Sequence, residues 1–179
     1  MSVKVIYFVH ATTTDNENHK ASGWNPGQLS ETGNKQSIAL RDYVDYDSID
    51  IVISSNLNRA IQSAEIVFED KKEILNDPRI RECNYGDLTG EDSSLVKYEE
   101  HIDVPFPNGE SLLDVEARMR DFCKYLKENF DGKTVALVAH KAPQLALDVI
   151  TKGCTWQEAI DNDWRKHKAW QPGWEYVIK

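Results

Sequence analysis

Cysteine and long apolar runs are scarce in this chain, and each scarcity removes a class of protein. The three cysteines, Cys83, Cys123 and Cys154, stand far apart and form neither a C-x-x-C pair nor a ligand spacing with the five histidines. A disulfide scaffold is thereby excluded and no metal motif is offered, so neither a metal nor another cofactor is expected. No apolar run approaches the roughly 20 residues of a membrane helix. The opening stretch MSVKVIYFV is too short and too weakly basic for a signal peptide and reads as a strand, so a cytoplasmic protein is expected. Positive charge is also short: 21 Lys and Arg face 30 Asp and Glu, a net charge of −9. No basic run offsets that balance, which argues against a nucleic acid or an anionic membrane as partner. A small anionic substrate is still allowed, because a pocket can be locally positive in an acidic protein.

The composition present, 40% apolar and 28% charged over 179 residues, suits one globular domain spanning 1–179 with a sizeable core. Continuous apolar runs recur at VKVIYFV (3–9), DIVISS (50–55) and KTVALVAH (133–140). Between them lie segments of helical period. In 32–44, Ile38, Leu40 and Val44 fall weakly on one face. The segment 57–68 is clearer, and 111–130 is clearest, with Leu112, Val115, Met119, Phe122, Cys123 and Leu126 at spacings of three and four. Asn108-Gly109 supplies a turn before it, and Ser111 with Asp114 resembles a capping box. Buried-type strands alternating with amphipathic helices predict a three-layer α/β/α sandwich with a mostly parallel sheet. Residues 83–109 look irregular and poor in apolar anchors, as a lid or substrate loop would be.

In such sheets, chemistry gathers at the carboxyl ends of strands. Three of these strands end in reactive or polar residues: His10, the Ser54-Ser55 pair that opens the helix of Arg59, and His140. Two imidazoles and an arginine in a first helical turn would make an oxyanion site, and a neutral imidazole is a nucleophile toward phosphorus. Taken singly, a histidine after a strand is more often a structural hydrogen bonder, and Arg59 a surface residue.

The ordered set resembles the histidine phosphatase superfamily, which includes the cofactor-dependent phosphoglycerate mutases. The family opens with a strand and Arg-His-Gly-Glu-Thr-x-x-Asn. Here His10 falls on the histidine, Thr13 on the threonine and Asn16 on the asparagine. The likeness continues through SGW (22–24), LSETG (29–33), SSNLNRAIQSA (54–64), IRECNYGDLTG (80–90), NGES (108–111) and VALVAH (135–140), and covers residues 3 to about 150. It implies a phosphoglycerate mutase-like fold and hydrolysis of a small phosphorylated metabolite without a metal. It assigns His10 as the nucleophile that becomes phosphohistidine. It assigns Glu82, held protonated near the substrate dianion, as the acid and then the base. Arg59 and His140 would bind the phosphoryl oxygens, and Thr13, Asn16 and the amides around Ser22 and Gly23 the phosphoryl group or substrate.

Two departures stand out. The family's first arginine is Val9 here and the following glycine is Ala11, and after the second histidine come Lys141-Ala142-Pro143. A register with His10 on the arginine and Ala11 on the nucleophile would break the Thr13, Asn16 and Ser-Gly-Trp matches. Loss of one partner from a buried charge pair costs roughly 2–5 kcal/mol, on the order of 30-fold to a few thousandfold in affinity. Lys141, a candidate substrate-binding residue, or Lys20 would compensate only in part, since lysine lacks the bidentate fork. Three expectations follow: a divergent phosphomonoesterase; a mutase, disfavoured because only residues 91–107 remain where mutases carry a longer insertion; and a weak or inactive member that binds a phosphorylated ligand or protein partner. In the C-terminal segment, Trp164, Trp170, Trp174 and Tyr176 read as core-packing aromatics around a last edge strand, WEYVI. A homodimer surface is the alternative reading.

Overall fold

A computed structural model describes residues 1–179. Five strands form one sheet in the order β3-β2-β4-β1-β5, where β1 is Val3–Val9, β2 Ile51–Ser54, β3 Ile74–Asn76, β4 Thr134–Ala139 and β5 Trp174–Ile178. The first four are mutually parallel; β5 runs antiparallel to β1, pairing Val5 with Tyr176. The expected strand segments appear within a residue of their apolar runs. Central β4 is buried from Val135 to Ala139, as a strand covered on both faces must be.

Alternation divides the sheet between two cores. Val3, Val5, Tyr7, Val135 and Leu137 face helix α4 (Leu112–Phe130), α5 (Lys141–Lys152) and α6 (Trp156–Asp161). Phe8, Val52, Ala136 and Val138 face α3 (Asn58–Phe68), through Ala64, Val67 and Phe68. The three-layer architecture follows, with the larger core under α4 and α5. Helix α4 buries the six residues its periodicity selects, and its Ser111–Asp114 capping box forms.

Helix α2 departs from expectation. It runs Glu31–Leu40 and tightens into a short 3₁₀ turn over 41–43, stopping short of Val44. Ile38 is exposed, and the residues that α2 buries are Gly33 and Ser37. The helix lies so close to the loop after β1 that a Cβ on Gly33 would stand 1.9 Å from the Thr12 carbonyl oxygen. Close approach of backbones, not an apolar stripe, seats this helix. The segment 83–109 is also corrected. It is irregular, with short 3₁₀ turns, but Cys83, Tyr85, Tyr98 and Phe106 are buried in the larger core. It is an anchored wall of the site. Short elements at 14–17 (α1), 74–76 and 156–161 carry too little periodicity to be read in advance. No helix is long and apolar enough to cross a membrane.

Candidate active site

The carboxyl ends of β1, β2 and β4 open into a polar pocket of about 340 Å³ lined by His10, Asn16, Ser22, Gly23, Arg59, Glu82, Tyr98 and Lys141 among others. Four cations, Lys20, Arg59, Lys141 and Arg165, meet one carboxylate, Glu82, on its walls. The protein is acidic and the pocket is positive. A larger cavity of about 530 Å³ lies on the other side of His10, lined by Phe8, Leu40, Phe68, Trp164 and Trp174. Neither Glu82 nor any cation reaches it, so it has no acid and no anion-binding group to offer.

His10 ends β1. Its Nδ1 lies 2.8 Å from the Ala11 carbonyl oxygen, an acceptor only, so Nδ1 carries the proton and Nε2 the lone pair. Arg59 Nε donates to that Nε2 at 3.3 Å. Burial, then the Arg59 charge, lower the His10 pKa to about 3, so the ring is neutral. The Ala11 amide donates to Ser63 Oγ on α3, which fixes the turn that presents the ring.

Arg59 sits in the first turn of α3 and is almost wholly enclosed. Its Nη1 donates to the Asn25 carbonyl (2.7 Å) and its Nη2 to the Gly23 carbonyl (2.8 Å). The arginine therefore folds the 22–27 loop around itself. In that loop Ser22 Oγ donates to Asp15, while the Ser22 and Gly23 amides have no protein acceptor.

His140 is the N-cap of α5 and is completely buried beside His10, the two ring centroids 5.1 Å apart. Both its ring nitrogens lack a protein partner, while its backbone N–H and C=O are clasped by the Tyr7 hydroxyl. Burial, then Arg59 and His10, hold its pKa well below the ordinary imidazole value.

Glu82 caps α5 from a different part of the chain. His140 contributes no side-chain cap, and Pro143 has no N–H to satisfy. The two remaining first-turn amides, Lys141 and Ala142, donate to Glu82 Oε2 (3.2 Å) and Oε1 (2.9 Å). Oε1 also accepts from the Cys83 amide (2.9 Å) and the Tyr98 hydroxyl (3.2 Å). Oε2 is the less occupied oxygen. Burial and the Glu82 charge push Tyr98 well above the usual phenol range, so it stays a donor. The Cys83 thiol, buried beside Glu82, is likewise pushed up and stays protonated.

The remaining residues expected from the sequence separate into two groups. Asn16 lines the pocket, with its Oδ1 accepting from the Thr13 amide (3.0 Å). Thr13 does not reach the pocket: it is buried, and its hydroxyl caps α1 by accepting from the Asn16 amide (3.0 Å). The expectation of a substrate-binding Thr13 is corrected to a capping role. Lys141 lies on the pocket wall with its Nζ 4.5 Å from the Tyr98 ring centroid, and Lys20 on the outer edge. Unexpected from the sequence is the brace behind Glu82. Arg118 of α4 forks onto Glu110 (2.9 and 3.0 Å) and donates to the carbonyls of Arg79, Arg81 and Glu82. Glu110 lies in the quoted Gly-Glu-Ser turn, but nothing in the α4 periodicity distinguishes Arg118 from a surface arginine.

The half-buried His10 and the buried His140 give a directional prediction. Between about pH 3 and the free-imidazole value of 6.5, the unfolded chain binds a proton at His10 that the native site refuses. Stability therefore falls as pH falls through that window, and His140 acts in the same direction. Each contributes at most about 1.4 kcal/mol per pH unit. Urea melts at pH 7 and pH 6, a range in which carboxylates hardly titrate, should show a drop that His140→Asn reduces. A flat profile would contradict neutral rings.

A doubly covered sheet with this cation-lined pocket at its carboxyl edge defines an α/β protein with an anion-binding site. The particular family follows from comparison: the chain belongs to the histidine phosphatase superfamily (branch 1), whose sequence profile matches residues 6–159. Phosphoserine phosphatase 1 of Hydrogenobacter thermophilus is 30% identical over 156 residues, covering 81% of this chain and 74% of that protein. A 2,3-bisphosphoglycerate-dependent phosphoglycerate mutase of Rhizobium meliloti is 30% identical over 174 residues, covering 85% and 82%. Among solved structures, a mycobacterial glucosyl-3-phosphoglycerate phosphatase complexed with VO3 superimposes with a TM-score of 0.79 at 24% identity, covering 87% of this chain and 85% of that one. That likeness speaks to the fold.

Proposed function

We propose that the protein is a phosphomonoesterase acting on a small phosphorylated metabolite through a phosphohistidine on His10. The observation that carries this is a neutral His10, tied back through Nδ1, with its Nε2 lone pair accepting from Arg59 Nε alone, on the wall of a pocket with four cations and one carboxylate. In the first step the Nε2 lone pair attacks phosphorus, the P–O bond to the leaving group breaks, and Glu82 gives that oxygen a proton. In the second, Glu82 takes a proton from water as the water oxygen attacks phosphorus. The N–P bond then breaks and inorganic phosphate leaves. Arg59 and the free Ser22 and Gly23 amides stabilise the equatorial oxygens, while His140, buried and outside the pocket lining, keeps only its place beside His10. No step uses a metal.

A second reading, a member that binds a phosphorylated ligand with little turnover, is favoured by Val9, which leaves the pocket without the family's first arginine. The test is metal-free release of phosphate from a panel that includes phosphoserine and phosphoglycerates, the compounds that relatives' names indicate. Trapping of an acid-labile, alkali-stable phosphoenzyme accompanies it. Turnover with that adduct is expected. Binding of inorganic phosphate without turnover or adduct on any panel member would favour the second reading.

A further inference from the structure

The segment after residue 159 lies beyond the family profile, yet one of its arginines lines the pocket. Arg165 lines the same walls as His10, Arg59 and Glu82. It is held there by a built frame. Asp163 is buried to within 2% of full enclosure and accepts from Arg165 Nη1 at 2.9 Å. Arg165 Nη2 donates to Gln144 Oε1 at 3.2 Å, and Gln144, itself buried, also accepts from Trp164 Nε1 at 3.1 Å. The guanidinium carbon stands 4.3 Å from the Trp164 ring centroid, and Trp164 stacks on Trp174 of β5. Lys141 Nζ lies 3.4 Å from the other oxygen of the same Asp163. One carboxylate thus gathers two pocket cations, leaving a net charge of +1.

The frame leaves donors to spare. A guanidinium has five N–H groups, and Arg165 makes two side-chain hydrogen bonds, to Asp163 and Gln144. Stacking and the Asp163 anchor fix its plane in advance, which lowers the ordering cost of gripping an anion. Its charge also reaches His10, where it adds to the forces that keep the ring neutral. Meanwhile the position that carries an arginine in the family opening is Val9, on the wall of the same pocket.

We infer that Arg165, seated on Asp163 beside Lys141, supplies the phosphoryl-binding guanidinium that position 9 lacks. The inference deepens the proposed function and rests on it for the reaction, though not for anion binding. A planar fork delivered from the C-terminal segment suits phosphate oxygens better than a lysine alone would, so Lys141 is the lesser partner.

The test compares the native chain with Arg165→Gln, Lys141→Met and Val9→Arg/Arg165→Gln. It reads the affinity for inorganic phosphate and for orthovanadate by calorimetry, the melting temperature, and kcat and KM for whichever panel ester turns over. Charged hydrogen bonds of this kind are worth roughly 1.5–3 kcal/mol, so Arg165→Gln should weaken phosphate binding by about 10- to 100-fold. Lys141→Met should weaken it less, and the arginine restored at position 9 should recover most of the loss. If Arg165 only anchors the C-terminal segment, the variant will melt at a lower temperature but bind both anions like the native chain. That result overturns the inference. Should Arg165→Gln fail to fold, Arg165→Lys decides the matter: unchanged anion affinity there also overturns it. The two readings fail separately. Turnover through a phosphoenzyme that is indifferent to Arg165 removes this inference alone. Arg165-dependent phosphate binding without turnover removes the esterase reading and leaves this one standing.

Discussion

His10→Ala should lower turnover of any active phosphomonoester by on the order of 10⁴-fold or more, the scale seen when a covalent nucleophile is deleted, and should abolish the acid-labile phosphoenzyme. The loss is large because nothing else in the pocket can take the role. His140 is fully enclosed behind His10, the Cys83 thiol is buried and held protonated, and the hydroxyl of Ser22 is committed to Asp15. Arg59 loses one acceptor but keeps its carbonyls of Gly23 and Asn25. The variant should therefore stay folded and still bind inorganic phosphate. Rapid-quench labelling with a radioactive substrate, beside calorimetry with phosphate, separates a lost nucleophile from a lost pocket. Retention of an acid-labile adduct in His10→Ala would exclude His10 as the acceptor.

Glu82→Gln should cost about 10²- to 10⁴-fold in kcat on esters with alkyl leaving groups, the usual range for a positioned acid–base group. It should cost far less in the first step with a nitrophenyl ester, whose leaving group needs no proton. The second step still needs a base for water. With the nitrophenyl ester the variant should release a burst of one nitrophenol per site and then stall as phosphoenzyme. Stopped-flow absorbance with adduct quantitation reads both steps; equal losses for alkyl and nitrophenyl esters, with no adduct, would remove Glu82 from proton transfer. The same substitution disturbs the α5 terminus. The amide oxygen can still accept from Ala142 and Cys83, but the NH₂ group replaces the acceptor that Lys141 N–H uses. Loss of such a cap costs roughly 1 kcal/mol, so a modest fall in melting temperature should accompany the kinetic effect.

The strands and long helices of this protein are legible in the residues because each obeys a local rule. A continuous apolar run such as 134–139 has to be covered on both faces, and the three-to-four spacing in α4 can only be one buried stripe. Helix α2 was not readable in that way. Its seating depends on the clearance between Gly33 and the Thr12 carbonyl, a distance between segments twenty residues apart that no periodicity expresses. The anchoring of 83–109, expected as a lid or substrate loop, was hidden for a related reason. Tyr85, Tyr98 and Phe106 are too widely spaced to form a pattern, yet they converge in space on the larger core.

The candidate site divides along the same line. By itself, the sequence determined the fold class, the strand ends that carry His10 and His140, the helical arginine Arg59, the carboxylate Glu82 and the departure at Val9, because these are fixed by order along the chain. Tertiary structure alone decided what each group is able to do. It keeps the lone pair of His10 on Nε2, against Arg59, by binding Nδ1 to the Ala11 carbonyl, turns Thr13 into a cap, makes Glu82 the cap of a helix sixty residues away, and brings Arg165 to the pocket on Asp163. Protonation, tautomer and donor direction depend on the dielectric and partners that folding assembles around a group. Those partners come from distant segments, so a reading along the chain could not supply them.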